Sequence, residues 1–587
     1  MLFSELAEYL KRIEETPSRL DMTDILVELF RAMSKEGPKK DIGKLIYVLQ
    51  GRISPAFTGV ELGVGERYIV ESISLASGYT VKQVDAQFRK SGDLGDTAEH
   101  FLSGKRQSAF MFEELTLDSA YDAFIKIATT SGIGSQQGKI KKVAELFTRT
   151  SPLGAKYIAR FVNGRLRLGV GDPTILDAFS MYMQGTKEKR VEVERAYNLC
   201  SDLGLVADTV MNHPEKLKNF KPAVFSPIRP ALAERLPTAK DIFDKIGPCY
   251  VDSKYDGLRM QIHRKNDKVE IYSRRLEKIT NMFPDVVKAA LALPSKEFIL
   301  DCEALAYNRK EKRYYSFQET MQRKRKYGIK EAAEELPLYV FAFDLLYKDG
   351  EDCTNMPYKE RREMLEKFIG TKNERIKVSE QKFAKTAKDL QKYFDEAIRQ
   401  NLEGIIAKDP ASRYVAGARE FAWIKLKKSY AGGEVSDTFD VVILGYYRGK
   451  GIRTQFKFGG LLCGVYNPDR DVFETLARVG GGFTEEEMKQ FEEMLSKITI
   501  KEKPKNVDAE IKPDYWVELK YVIAVTADEI TLSPTHTCNK LANPSGKGFA
   551  LRFPRMVMFR PDRDVYSSTT SKEIQEMFDS FRKKGRK

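Results

Sequence analysis

The chain has 587 residues, too many for one hydrophobic core, and its length calls for three or four domains. Hydrophobic residues at 42% and aromatics at 11% give it enough apolar surface to bury, which excludes a disordered or fibrous chain. Lys and Arg outnumber Asp and Glu by 98 to 84, a net +14 that favours polyanionic partners, while six singly placed cysteines and four histidines exclude a disulfide framework and a zinc cluster.

No apolar run approaches the roughly 18 residues of a membrane span, and Met1 to Glu15 lacks the basic and apolar regions of a signal peptide. A soluble, cytoplasmic protein in a reducing interior is expected. Residues 1–220 read as mainly helical: Leu6, Leu10 and Ile13 recur at helical spacing, and Asp21-Met-Thr-Asp24 offers a cap for the stripe Ile25, Leu26, Leu29 and Phe30. Two stretches here carry glycines and small hydroxyls. Thr130-Ser-Gly-Ile-Gly-Ser-Gln-Gln-Gly-Lys139 precedes the helical run Ile140 to Phe147, so that N–H groups at Gly134 and Ser135, with Lys139, are placed to bind a DNA phosphate. Asn163-Gly-Arg-Leu-Arg-Leu-Gly-Val-Gly-Asp172 adds Arg165 and Arg167. On residue types alone, each stretch reads equally as a loop with a helix cap.

Pro222, Pro227, Pro230 and Pro237 mark an inter-domain linker, after which strands alternate with helices. In Val251-Asp-Ser-Lys-Tyr-Asp-Gly-Leu-Arg259, Lys254 reads as a lysine at a strand start, held at a tight turn beside a hairpin whose second strand is Lys268 to Ser273. In so basic a chain, the ordinary reading of any one lysine is a solvated surface charge. Further on, Asp301 and Glu303 share one face of the apolar strand Phe298 to Leu305, which is costly unless they hold a metal, a sugar hydroxyl or a cation. Phe341 and Phe343 share a face of the next strand. The basic cluster Arg323-Lys-Arg-Lys326 reads as a solvated helix face, with DNA contact as the alternative. Glu403 and Lys408 bracket an apolar strand. In Trp423-Ile-Lys-Leu-Lys427, Lys425 and Lys427 lie on one face with Trp423, a pairing that needs an anion between the two charges. The break Ala431-Gly-Gly433 opens a region of short strands, among them Phe439 to Tyr446, Gly459 to Tyr466 and Tyr521 to Val525, that predicts a small barrel.

Lys254-Tyr-Asp-Gly257, Asp301-Cys-Glu303, Phe343-Asp344, Glu403-Gly404, Trp423-Ile-Lys-Leu-Lys427 and a late Arg552-Phe-Pro-Arg555, with Arg560 beyond it, together resemble the motifs of the covalent nucleotidyltransferases. Their order, their separations and the helical region ahead of Lys254 look most like ATP-dependent DNA ligases of the archaeal and eukaryotic replicative type. That resemblance implies a multidomain chain: an all-α DNA-binding domain at 1–220, an α/β adenylation domain at 221–430 and an all-β OB-fold domain at 431–587. It implies sealing of nicks in duplex DNA, in replication, repair and recombination, through a lysyl-AMP and then a 5′-adenylated DNA.

Carried over position by position, it makes Lys254 the residue that takes AMP, its pKa depressed by neighbouring cations and partial desolvation. Lys425 and Lys427 would neutralise the α-phosphate. Asp252 would meet the adenine amino group, Phe343 would stack on the base, and Arg259, Arg274 and Arg419 would hold ribose and phosphates. Glu303 and Glu403 would bind metal, Mg²⁺ and alternatively Mn²⁺, with Glu303 alternatively on the ribose. Arg552 and Arg555 would orient pyrophosphate when the barrel closes, and the barrel must then swing away to admit DNA. The expected partner is nicked double-stranded DNA, bound by a monomer. Gln107, Phe110 and Phe112 resemble a shortened sliding-clamp-binding peptide, and two phenylalanines packed under a loop fit that stretch as well.

The chain departs from the family at three places: Asp252 stands where relatives often have Glu, Cys302 where a smaller residue is common, and an extra Gly replaces Thr in Val479-Gly-Gly-Gly-Phe483. RNA ligases and capping enzymes share Lys-x-Asp-Gly but lack the helical domain. NAD-dependent ligases carry a cysteine tetrad that is missing here, and a non-catalytic scaffold would have lost Lys254 or the paired lysines.

Overall fold

A computed structural model describes residues 1–35, 42–104, 113–132, 134–164, 166–308, 313–315, 317–325, 328–400, 402–427, 438–449 and 458–584. Arg165, the segment 106–112 with Gln107, Phe110 and Phe112, Lys326 and the break 431–433 therefore lie outside the described residues. No helix among those described is long and apolar enough to cross a membrane.

The chain divides into two compact units: Met1–Pro222 with Ser226–Arg229, and Ala223–Phe225 with Pro230–Lys587. In the first unit, every regular element among the described residues is a helix, from Phe3–Glu15 to Leu203–Asn212, and their apolar stripes merge into one core that includes Leu6, Leu10, Ile13, Leu26, Leu29 and Phe30. The second helix starts earlier than its sequence suggests. It spans Arg19–Lys35, so Asp21 lies in the first turn, and it is the Ser18 hydroxyl that accepts from the Asp21 N–H (3.3 Å).

The second unit carries two sheets in its central part. In the first, the strands run in the order Leu232–Arg235, Arg419–Lys427, Gly404–Lys408, Cys249–Lys254, Gln381–Ala384. The second is built on the hairpin Leu258–Lys265 and Lys268–Ser273, followed by Glu297–Asn308 and Leu338–Lys348. Two expectations change here. The proline-rich stretch is not wholly linker, because the proline-free Leu232–Arg235 adds a parallel strand beside Arg419–Lys427. Lys254 ends its strand rather than starting it, so the turn that follows, and not the one before, sets its direction.

The C-terminal part is sheet-rich and curled. The strand Thr438–Tyr447 pairs along one edge with Gly460–Asn467 and along the other with both Val522–Thr526 and Tyr515–Val517, with a register break between Ile443 and Gly445 that bends it. Helices Glu485–Ser496 and Ser571–Lys584 accompany this sheet. The expected all-α, α/β and sheet-rich regions are thus present in the order expected.

His263, wholly buried in the central sheet, is held neutral by its partners: Phe225 N–H donates to Nδ1 (2.9 Å) and Nε2 faces Gln261 Oε1 (2.8 Å). Burial lowers it to about 3 against the opposing pull of Glu270. A folded-state value below the unfolded one contributes stability that is complete above about pH 6.5 and is lost as pH falls toward 3. Between pH 7 and 5, His263 should cost the fold about 2 kcal/mol. The urea midpoint followed over that range should fall less steeply in His263→Gln than in the unsubstituted chain.

Candidate nucleotide site

Three neighbouring antiparallel strands assemble the reactive group. Their register sets Gly404 opposite both Lys254 and Lys427. Glu403, one residue earlier, therefore stands between two ammonium groups, and its two carboxylate oxygens pair separately with Lys254 Nζ and Lys427 Nζ. Burial opposes the ionised form, yet the two lysines hold the Glu403 carboxyl well below the usual range.

These residues border a cavity of about 360 Å³. Its central-domain wall includes Asp252, Lys254, Arg259, Arg274, Glu303, Phe343, Trp423 and Lys425, and its C-terminal wall includes Asp440, Arg560, Asp562 and Arg563. Phe343 meets Trp423 edge-on, with ring centroids 5.8 Å apart. Asp301 and Glu303 divide their duties. Asp301, 1% exposed, takes a two-pronged bond from Arg259 (3.1 and 2.7 Å) and one from the Tyr414 hydroxyl (2.7 Å). Glu303 faces the cavity, where burial raises it to about 7 despite the pull of Lys254, Arg259 and Arg274.

Asp252 is held from behind. Lys408 Nζ (2.6 Å) and Gln381 Nε2 (2.6 Å) each engage one of its carboxylate oxygens, and Lys408, 1% exposed, also donates to Phe343 O and Tyr358 Oη (both 3.1 Å). Arg274 is the counterpart at the other end of the cavity. Its Nε is buried without a hydrogen-bond partner among the described residues. Burial, together with Arg563, Arg259 and Arg560, pushes its guanidinium well below its ordinary value. A buried donor left open amid like charges fits a polyanion such as a triphosphate. For a metal, no group of three or more His, Cys, Asp or Glu converges among the described residues. Glu303 and Glu403 offer single carboxylates, which suits an ion that takes most of its ligands from substrate phosphates and water.

Not every expected residue is here. Arg552 and Arg555 do not border the cavity; they are exposed and paired with Glu529 (3.2 Å) and Asp528 (2.9 Å). They flank the turn at Phe553 (φ 50°), and the strand Arg555–Phe559 carries the chain roughly 16 Å further before Arg560, Asp562 and Arg563 reach the pocket. Of these three, the sequence pointed only to Arg560; it missed Asp440, and it marked Lys408 only as the charged end of an apolar strand. Arg419 begins the strand Arg419–Lys427 opposite Leu232. Arg323, expected on a solvated face, is wholly buried against Asp285 (2.7 Å), because the cluster turns one of its cations inward to an acid 38 residues away.

In the helical unit, Gly134 (φ 79°) caps the helix Ser135–Thr148 with no side-chain bond, so the helix begins ahead of the run read from Ile140. Lys139, however, donates to Leu62 O (2.8 Å) and Gly63 O (3.2 Å), and Arg167 is paired with Asp93 (2.7 Å). Both cations thus have partners within the unit in the absence of DNA.

Residues 2–180 match the family described as DNA ligase N terminus, residues 230–427 the ATP dependent DNA ligase domain, and residues 454–563 the ATP dependent DNA ligase C terminal region. The chain is 44% identical over 586 residues to a probable DNA ligase of Dictyoglomus thermophilum, covering 99% of this chain and 98% of that protein. It is 41% identical over 597 residues to a DNA ligase of Sulfolobus acidocaldarius, covering 100% and 99%. A DNA ligase of Hyperthermus butylicus is 42% identical over 597 residues, covering 98% and 97%.

Proposed function

The chain belongs to the ATP-dependent DNA ligases, and from that premise we propose that its substrate is a nick in duplex DNA and that Lys254 is the residue adenylated. The family's reaction proceeds through an adenylate and uses ATP with a divalent metal. Within this reading, residues 1–220 bind DNA, residues 221–430 carry out adenylation, and residues 431–587 form the closing barrel. The observation that carries it is the cavity itself, where Lys254 and the unpaired buried donor of Arg274 border one space with Lys425, Arg560 and Arg563.

Lys254 Nζ attacks the α-phosphorus as a free amine, so its pairing with Glu403 must be given up first. Lys425 and Lys427 meet the charge that develops on the α-phosphate, while Arg274, Arg560 and Arg563 receive the departing pyrophosphate. Phe343 and Trp423 flank the base, with Asp252 as its acceptor. Glu303, and Glu403 once its lysine pairs open, would hold Mg²⁺, which would supply charge neutralisation at the phosphates. AMP then passes to the 5′-phosphate of the nick, and attack by the neighbouring 3′-hydroxyl expels it. The exposed helix start at Gly134 and Ser135 is the proposed phosphate contact of the DNA-binding part. A monomeric working state, an intracellular place beside the nucleoid, and the ring-shaped sliding clamp as partner through Gln107, Phe110 and Phe112 complete the proposal.

The test uses ATP labelled at the α-phosphate, Mg²⁺ and two nicked substrates, DNA and RNA. Label should appear on the protein as an acid-labile adduct, move to the 5′-end of nicked DNA, and leave as AMP in step with sealing. A folded, AMP-free protein that never takes label, or one that seals only the RNA nick, would overturn it.

A further inference from the structure

Arg275 follows Arg274 in the tight turn that closes the strand Lys268–Ser273. Leu276 N–H donates to Ser273 O (2.8 Å) and Leu276 takes φ 62°, so the two arginines fill the middle positions of the turn. Their side chains part ways. Arg274 enters the cavity, whereas Arg275 Nη1 donates to the backbone carbonyl of Pro561 (2.7 Å).

Pro561 sits in the centre of a second stiff element. Arg560 N–H donates to Val522 O (2.9 Å), Arg563 N–H closes a turn onto Arg560 O (3.1 Å), and the Arg560 guanidinium makes two bonds to Asp562 (2.8 and 2.7 Å). Asp440 takes Arg563 Nη2 at 3.1 Å. The proline ring fixes φ between the two arms of this knuckle. Arg275 therefore joins two tight turns, and a bond between two stiff elements sets their separation. Because its acceptor is a main-chain carbonyl, the grip fixes Arg560 and Asp562 together rather than one side chain.

We propose that Arg275 is a positioning residue of the adenylation step, holding Arg560 and Arg563 over the cavity by gripping Pro561. The inference rests on the ligase reading above. In that step the bond from Lys254 Nζ to the α-phosphorus forms, the bond from that phosphorus to the bridging oxygen of pyrophosphate breaks, and the amine proton passes to solvent. The charge on the leaving pyrophosphate is met by Arg560 and Arg563 only while the knuckle is held. In sealing a nick that already carries AMP, the leaving group is AMP, which central-domain residues hold, and the grip on Pro561 is idle.

Arg275→Met keeps the stem and removes the donor; Arg275→Lys restores one donor. Three rates separate the roles: label transfer from ATP to protein, its return to ATP on adding pyrophosphate, and sealing of a nick pre-adenylated on its 5′-phosphate. In Arg275→Met the first two should fall together by about tenfold to a hundredfold, the loss expected for one charge-assisted bond. Arg275→Lys should recover part of that loss. The third rate should stay within about twofold. Equal slowing of all three, or an unchanged first rate, overturns the assignment of Arg275. Absence of label on the unsubstituted protein overturns the ligase reading and this inference with it.

Discussion

Covalent labelling of the protein by ATP carrying a labelled α-phosphate is expected to fall to background when Lys254 is replaced by Ala, a loss of at least about 10⁴-fold. The geometry gives the reason. Lys427 reaches the same Glu403 carboxylate and Lys425 borders the same cavity, so two other amines stand nearby. Lys254, however, ends its strand beside Gly404–Lys408, immediately before the turn Tyr255-Asp-Gly257, so its side chain leaves the sheet at the mouth of the next loop. Gly257 makes that turn feasible: a Cβ there would meet the Ala304 carbonyl at 2.5 Å. Lys254→Arg is the sharper control. It keeps the cation that pairs with Glu403, and so the local charge balance, but a guanidinium does not deprotonate at neutral pH and cannot attack. Both variants should retain helical content by circular dichroism and should bind ATP without forming the adduct. Label persisting in Lys254→Ala would move the nucleophile to a neighbouring lysine.

How far the sequence reached depends on how local the cause was. The hairpin after Lys254 and the lysine face of Arg419–Lys427 were legible because each follows from alternation within a few residues, and the strand Gly404–Lys408 because its short apolar run lies between two charged ends. The strand Cys249–Lys254 was misplaced because it does not alternate: Cys249, Val251 and Asp252 are all buried, as in a strand covered on both faces. That Glu403 lies between Lys254 and Lys427 was not legible either, since it depends on which strands pair across more than a hundred residues of chain. The same limit explains the cations. Lys139, Arg167 and Arg323 look alike in sequence to any solvated base, and only the fold brings Leu62, Asp93 and Asp285 to them. Arg552 and Arg555 were singled out by family pattern for the closed barrel; in this arrangement it is Arg560, Asp562 and Arg563, one strand length further on, that border the cavity.

Gly404→Ala should be nearly as damaging as loss of the nucleophile, although it leaves every reactive side chain in place. Gly404 takes φ 154°, and a Cβ on it would lie 2.0 Å from the Leu426 carbonyl and 2.9 Å from Lys427 Cα. Both are backbone atoms of the adjoining strand, so neither can step aside by a rotamer change. Relief requires the strands to part by more than 1 Å at the level of Lys254, Glu403 and Lys427. Overpacking against backbone costs on the order of 3 kcal/mol, and a shift of about 1 Å at a reacting group costs about 10²-fold in rate. The expected signature is therefore double: a lowered melting temperature, and label transfer from ATP at least about 10²-fold slower in the fraction that remains folded. Ile405→Val, one residue along the same strand and buried in its core, serves as the comparison. It should cost about 1 kcal/mol of stability with little change in labelling rate. If Gly404→Ala labels at the unsubstituted rate, strand spacing does not align Lys254, and the three-strand register loses its place in the mechanism.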